Sequence, residues 1–215
     1  MRSSRAESAH RGAPENISEF AKRFIAGRLA GFDKDMRICL TGVPSPTRPG
    51  LTHAYFPALA TCCSTLEYLT ALHRGNTHGV GWQQVRDFAT AYLPQPDYDA
   101  EVVRVLFDAL RHPVAHRGIA SGVWVDRSNG PNHGRRVVWK VSADARRPAC
   151  QVLSEPGLLT RDPPWSTQYT HRVHVHLRGL WVDLRRAGTK LTKDIRSSHE
   201  LQQNFLACMR QMYPQ

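Results

Sequence analysis

Arg111, His112, Pro113 and His116 fall together in the stretch Ala109-Leu-Arg-His-Pro-Val-Ala-His-Arg-Gly118. A histidine titrates near neutrality, with an ordinary pKa of about 6.5, so a histidine in a shaped site suits a general acid or base. A guanidinium stays charged and grips two oxygens at once, which suits an anionic group such as phosphate. The bare spacing recurs at Arg5 with His10 and at Arg48 with His53. Those pairs fall in a polar N-terminal stretch and a proline-rich loop, neither of which supplies a scaffold able to hold a reactive geometry. The competing reading of Arg111 and His116 is structural: basic side chains at a helix end that bond the last carbonyls and favour the helix dipole.

Pro113 bears on both readings. It disfavours helical geometry at His112 and lacks a backbone donor, so the helix is expected to break or kink between Arg111 and His116. On an uninterrupted helix the two residues stand about 140° apart, and a local irregularity would be needed to turn both toward one cleft. Glu67 is the lone ionised side chain between Ala54 and Leu72. A carboxylate in a buried helix must be paired or face a cleft, so Glu67 either orients Arg111 or faces solvent.

The segment from Arg111 to His116 resembles the signature of the HEPN domains (higher eukaryotes and prokaryotes nucleotide-binding): Arg, a polar residue, three more residues, then His near a helix boundary. The resemblance covers residues 16 to about 120, with His112 where the family commonly has Asn or Asp. It implies an all-helical bundle, often homodimeric, acting as a metal-independent endoribonuclease in toxin, defence or RNA-processing systems. The resemblance implies that His116 abstracts a proton from the ribose 2′-hydroxyl and that Arg111 stabilises charge developing on phosphorus, a route that needs no metal. Arg111 and His116 are then catalytic, His112 is placed to donate a hydrogen bond, Glu67 keeps the orienting role read for it above, and a cognate antitoxin or regulatory protein is an implied partner. The alternative is a non-catalytic helical module that binds nucleic acid, nucleotide or a protein.

Other side chains bear on a nucleic-acid partner. Arg172, Arg178, Arg185 and Arg186 are read as one helix offering a basic face to RNA phosphates, against the ordinary reading of a solvated charged face. Trp124 and Trp139 are candidates for base stacking or for cross-strand packing. His171, His174 and His176 suggest a metal cluster at first sight, but on a helix only His171 and His174 share a face, and no Cys or carboxylate completes a site there. No metal or cofactor is expected. The chain has no Walker loop, GxSxG, HExxH or paired CxxC, which removes P-loop hydrolysis, elbow-type serine hydrolysis and the commonest zinc classes as leading ideas.

The elements that must hold these residues follow from periodicity. Ile17, Phe20, Phe24, Ile25, Leu29 and Phe32 recur at helical spacing, and so do Phe56, Leu59, Cys63, Leu66, Leu69 and Leu72. Between them, residues 41 to 52 carry three prolines and two glycines and read as a loop without a regular element. Trp82, Val85, Phe88 and Ala89 suggest a third helix, and a fourth begins near Asp99, a natural N-cap, and runs into the Arg111 segment. Val123 to Val125 and Val137 to Val141 flank a polar turn and read as a β-hairpin near 122–142. Arg146 to Trp165 shows little periodicity. Val173, Leu177, Leu180, Trp181 and Leu184 return to helical spacing, and a last helix covers Ser198 to Met212. The expected fold is therefore mainly α: a helical bundle with a small β-hairpin insertion after the fourth helix, residues 16–215 forming one domain behind a disordered arm at 1–15.

Composition agrees with a folded, soluble chain of 215 residues with 41% hydrophobic and 22% charged residues. Its 29 basic against 18 acidic side chains give a net charge of +11, which favours phosphate-bearing partners over none. Five cysteines without CxxC spacing read as buried thiols of a reducing cytoplasm. No stretch is long and apolar enough to span a bilayer, so no membrane is expected.

Overall fold

The computed structural model describes residues 16–46, 49–117, 122–160 and 166–214, with 115–117 described by backbone alone. The arm expected over 1–15 lies outside the described residues.

A long first helix, α1 (Ile17–Leu40), is capped by the Asn16 side chain, which accepts from the Ser18 N–H at 2.9 Å. The following loop contains a two-stranded ladder, β1 (Val43–Pro44) with β2 (Leu51–Thr52). Here the expectation of no regular element is corrected: the prolines and glycines leave room for a two-residue antiparallel pairing. Next come α2 (Tyr55–Arg74) and α3 (Trp82–Tyr92). Gly75 ends α2 with φ +74°, and a Cβ there would stand 2.8 Å from the Asn204 backbone, so only glycine fits both the turn and the neighbour. The motif helix follows as α4 (Ala100–Val105), a π-helical segment Leu106–Arg111, and α5 (His112–Arg117).

The second half departs from a helical bundle. β3 (Trp124–Val125), β4 (Arg136–Ser142), β5 (Cys150–Leu159) and β6 (Thr167–His176) form a mixed four-stranded sheet in the order β3-β4-β6-β5. β4 and β6 are parallel; the outer pairs are antiparallel. The chain is thus mixed α/β, and the mainly-α expectation is overturned: β3 and β4 pair antiparallel as the expected hairpin, but β4 is an interior strand whose second edge is taken by β6.

Two local readings fail for identifiable reasons. Val173, Leu177 and Leu180 are spaced like a helix face, yet Val173 and Val175 alternate with the less buried Arg172, His174 and His176, the period of a half-buried strand. In β5 the register shifts between Ser154 and Gly157, around Pro156, and that bulge disrupts the alternation by which a strand is recognised. Pro156 is tolerated because β5 is an edge strand.

Two long helices complete the fold, α6 (Leu177–Ser197) and α7 (His199–Met212). α6 packs on α1 and α2, and α7 packs on α2 and α6. The inner sheet face joins the same core through Val137, Val173, Val175 and Cys150, and Trp139 meets Phe56 of α2 edge-on at 5.3 Å. Gly188 lets α6 close on α1, for a Cβ there would lie 2.6 Å from Leu29 Cδ1. Among the described residues no helix is long and apolar enough to cross a membrane.

Candidate functional site

Asp99 starts the motif helix, its carboxylate accepting from Val102 N–H at 2.8 Å. The helix does not break at Pro113. His112 keeps αR geometry (φ −61°, ψ −50°), and its N–H reaches back to the Phe107 carbonyl, one residue further than in an α-helix. In a regular helix the proline ring would collide with the Ala109 carbonyl. The wide π turn ends at Arg111, just before Pro113, so the chain accommodates the proline by widening and the expected break does not occur. Consequently the backbone from Arg111 to Arg117 stays helical, and on ideal geometry the Arg111 and His116 positions remain about 140° apart. The His116 side chain and Gly118 lie outside the described residues.

Arg111 is held from α2. Its Nη2 donates to Glu67 Oε2 at 2.9 Å while Nε faces Oε1, a two-point pair. The Arg111 guanidinium also lies over the Phe107 ring, 5.2 Å from its centroid. The side chains of Arg111 and Glu67 are 27% and 21% exposed, so the pair sits at the surface edge of the core. Beneath it is an apolar cavity of about 10 Å³ lined by Cys63, Leu66, Val103, Leu106 and Leu180 among others. That is room for about one water and none for a phosphate. Burial pushes the Cys63 thiol up to about 12, with Glu67 adding to the rise, so no thiolate forms beside the pair near neutral pH. His112 is exposed, and burial raises the carboxyl of Asp108 on the preceding turn, with Arg104 and, least, His112 opposing the rise.

The four arginines read as one basic helix face divide between elements. Arg172 is on β6, paired with Glu155 at 3.4 Å and over the Tyr169 ring. Arg178 opens α6 and donates from Nη2 to the Leu40 carbonyl at 2.8 Å, tying down the end of α1. Arg185 and Arg186 are on the exposed face of α6, where Arg185 meets Asp33 at 3.2 Å and Arg186 has no partner among the described residues. That face continues beyond the sequence reading. Lys190, Lys193 and Arg196 follow at steps of three and four, all exposed. Lys190 is anchored by the Ala91 carbonyl at 2.7 Å and the Tyr92 ring. From Arg185 to Arg196 the row runs about 16 Å. The same three-and-four step, carried past Arg186, finds these residues in the sequence.

The histidine trio is on a strand and not a helix, which reverses the shared faces. His174 and His176 lie on the outer sheet face with Lys140 and Ser142 beside them, while His171 points with Val173 to the inner side. His174 meets Glu155 at 3.2 Å and His176 Nδ1 meets Ser142 Oγ at 2.8 Å. Among the described residues no group of three or more His, Cys, Asp or Glu is arranged to hold a metal.

A second cluster, unread in the sequence, surrounds Arg104 one turn before Asp108. Its guanidinium donates to Ser128 Oγ and Asp126 Oδ1, each at 2.8 Å, and lies 5.8 and 5.7 Å from the ring centroids of Trp82 and Trp124. Asp126 also accepts from the Ser128 N–H and hydroxyl, and these bonds hold its carboxyl below the usual range against the opposing pull of burial. Arg104 and the Glu101–Arg135 pair fasten the β3–β4 end of the sheet to the motif helix.

Burial sets the pH response. It depresses the titration of His73, His171 and His176, so each is more readily protonated in the unfolded chain than in the folded one. Their contribution to stability is therefore complete above the ordinary histidine value of about 6.5 and is lost as pH falls through it toward the lowered folded values. The thermal midpoint should drop between about pH 7.5 and pH 5.5. A midpoint that stays level or rises across that window, read by circular dichroism, contradicts the burial of these rings.

Comparison of the chain with protein-family models, curated proteins and solved structures gave no match.

Proposed function

We propose that this protein binds RNA through the exposed cationic face of α6. The observation that carries this reading is the row Arg185, Arg186, Lys190, Lys193 and Arg196 on one helix face, with Arg186, Lys193 and Arg196 making no ion pair among the described residues. Unpaired cations on a rigid helix attract phosphates, release condensed counterions and bind without reading sequence. The net charge of +11 acts in the same direction. The buried thiols suit a cytoplasmic setting.

The test is a salt titration of a labelled single-stranded RNA against wild type and the double variant Arg186→Glu/Lys193→Glu. Each phosphate contact contributes about −0.7 to the slope of log affinity on log salt. The double variant should bind about tenfold or more weakly at low salt, with a slope shallower by about 1.4 or more. Unchanged affinity and slope would reject α6 as the RNA face.

A second reading is metal-independent RNA cleavage on the motif helix, the activity implied by the HEPN resemblance. It is favoured by one observation: Glu67 fixes the orientation of Arg111 while leaving about a quarter of that side chain exposed. Incubation of structured RNA in EDTA separates the two readings. Products ending in 2′,3′-cyclic phosphate, absent with Arg111→Ala and with His116→Ala, support cleavage; RNA bound but intact in all three proteins supports the binding module alone.

A further inference from the structure

Beside the motif helix lies an open groove of about 530 Å³, and its lining differs from that of every other cavity described. It is lined by Val123, Trp124 and Val125, by Arg104 and Asp108 of the motif helix, and by Arg127 and Ser128. Each part is accounted for differently. Trp139, the other tryptophan considered for stacking, is used up against Phe56. Trp124 instead lines the groove, and it is held in place by the Arg104 guanidinium, itself fixed by Asp126 and Ser128. Arg127 is exposed and has no partner among the described residues. Asp108 contacts Arg104, 3.5 Å from Oδ2 to Nε, with His112 close by, and its side chain is 32% exposed.

We infer that this groove is a subsite for one unpaired guanine base of a bound RNA: the base lies on Trp124, its Watson–Crick edge meets Asp108, and Arg127 takes an adjoining phosphate. The inference rests on the RNA-binding reading above and adds the substrate class, single-stranded and not fully paired RNA. Stacking on an indole is open to any base and demands that the base be unpaired. Selectivity comes from the carboxylate. Guanine alone among the four RNA bases carries two adjacent N–H donors on that edge, matching the two oxygens of Asp108. Burial raises the Asp108 carboxyl, and a carboxylate short of solvent gains more than an exposed one from added N–H donors. The Arg127 guanidinium supplies a charge-assisted contact to phosphate. A nucleotide seated here lies alongside the turns that carry Asp108, Arg111 and His112, so the groove would set which base sits next to the motif helix.

Equilibrium dialysis with guanosine, adenosine, cytidine and uridine 5′-monophosphates tests the subsite without needing RNA. Wild type should bind the guanine nucleotide in the millimolar range or better, about tenfold tighter than the other three. Asp108→Asn should erase that preference, and Arg127→Ala, an exposed substitution that leaves the fold alone, should weaken all four. Trp124→Phe keeps an aromatic wall and should retain part of the binding. Equal binding of the four nucleotides, no binding of any, or a guanine preference that survives Asp108→Asn overturns the subsite. The outcome for α6 is separate: RNA that still depends on Arg186 and Lys193 while the guanine preference is absent removes only the groove, and a guanine preference with RNA indifferent to those two residues removes only the α6 face.

Discussion

Asp183→Ala should lower the free energy of unfolding by about 3 kcal/mol, through an acceptor lost in the core. Asp183 is fully buried on α6, where its Oδ2 accepts from Tyr98 Oη at 2.8 Å and pairs with Arg147. Tyr98 is 1% exposed, so without Asp183 its hydroxyl is stranded, at a cost of about 1–3 kcal/mol. Arg147 is 38% exposed and can turn to solvent, which limits its share of the loss. The remainder comes from the space vacated in a close-packed region. Asp183→Asn keeps an acceptor for Tyr98 and should cost about half as much. Urea unfolding of the three proteins checks this ordering, and an alanine variant as stable as wild type would mean that Tyr98 finds another acceptor.

The Glu67–Arg111 pair should show a different pattern, strong dependence between its members and little net contribution. Glu67→Leu leaves a guanidinium over an apolar cavity, and Arg111→Met leaves a carboxylate there. Each single change should cost about 2 kcal/mol, below the figure for a fully buried pair because a fifth to a quarter of each side chain is exposed. The double variant should return to within about 1 kcal/mol of wild type, since two apolar side chains fill the same space without desolvating charge. A urea double-mutant cycle measures the coupling. Additive losses would show that the two side chains act independently. Full recovery of stability in the double variant would show that the pair adds little net stability to the fold.

Much of the helical framework was legible because its signals are local. The apolar spacing of α1 and α2, the Asp99 cap and the isolation of Glu67 in an otherwise uncharged stretch can all be read within a few residues of each other. The Glu67–Arg111 contact bridges 44 positions, yet it could be anticipated, because a carboxylate in an apolar helix needs a cation. Of the sheet only the β3–β4 hairpin could be read, from two apolar runs around a polar turn. β4 pairs with β6 in parallel, Val137 opposite His171, and nothing near either strand announces a partner 34 residues away. At the β6–α6 junction Val173, Leu177 and Leu180 mimic a helix face across a boundary where the period changes from two to 3.6. Pro113 was read correctly as an obstacle to the α-helix, but a π turn just before it has no distinctive composition, and so the accommodation could not be told from a break. The cationic row of α6 was visible only in part, since its last members lie beyond the apolar residues that had defined the helix.

The packing of α7 and α6 on α1 and α2 has a consequence for the order in which the chain acquires its shape. Phe205 of α7 meets the rings of Phe20 and Phe24 of α1 at 5.7 and 6.1 Å, so the hydrophobic faces of the earliest helices are covered by the latest. During synthesis α1 and α2 leave the ribosome with those faces bare and wait for more than a hundred residues before α6 and α7 arrive. A nascent chain interrupted before α6 would therefore expose the apolar surface that α6 and α7 cover, while lacking the helix that carries the cationic row.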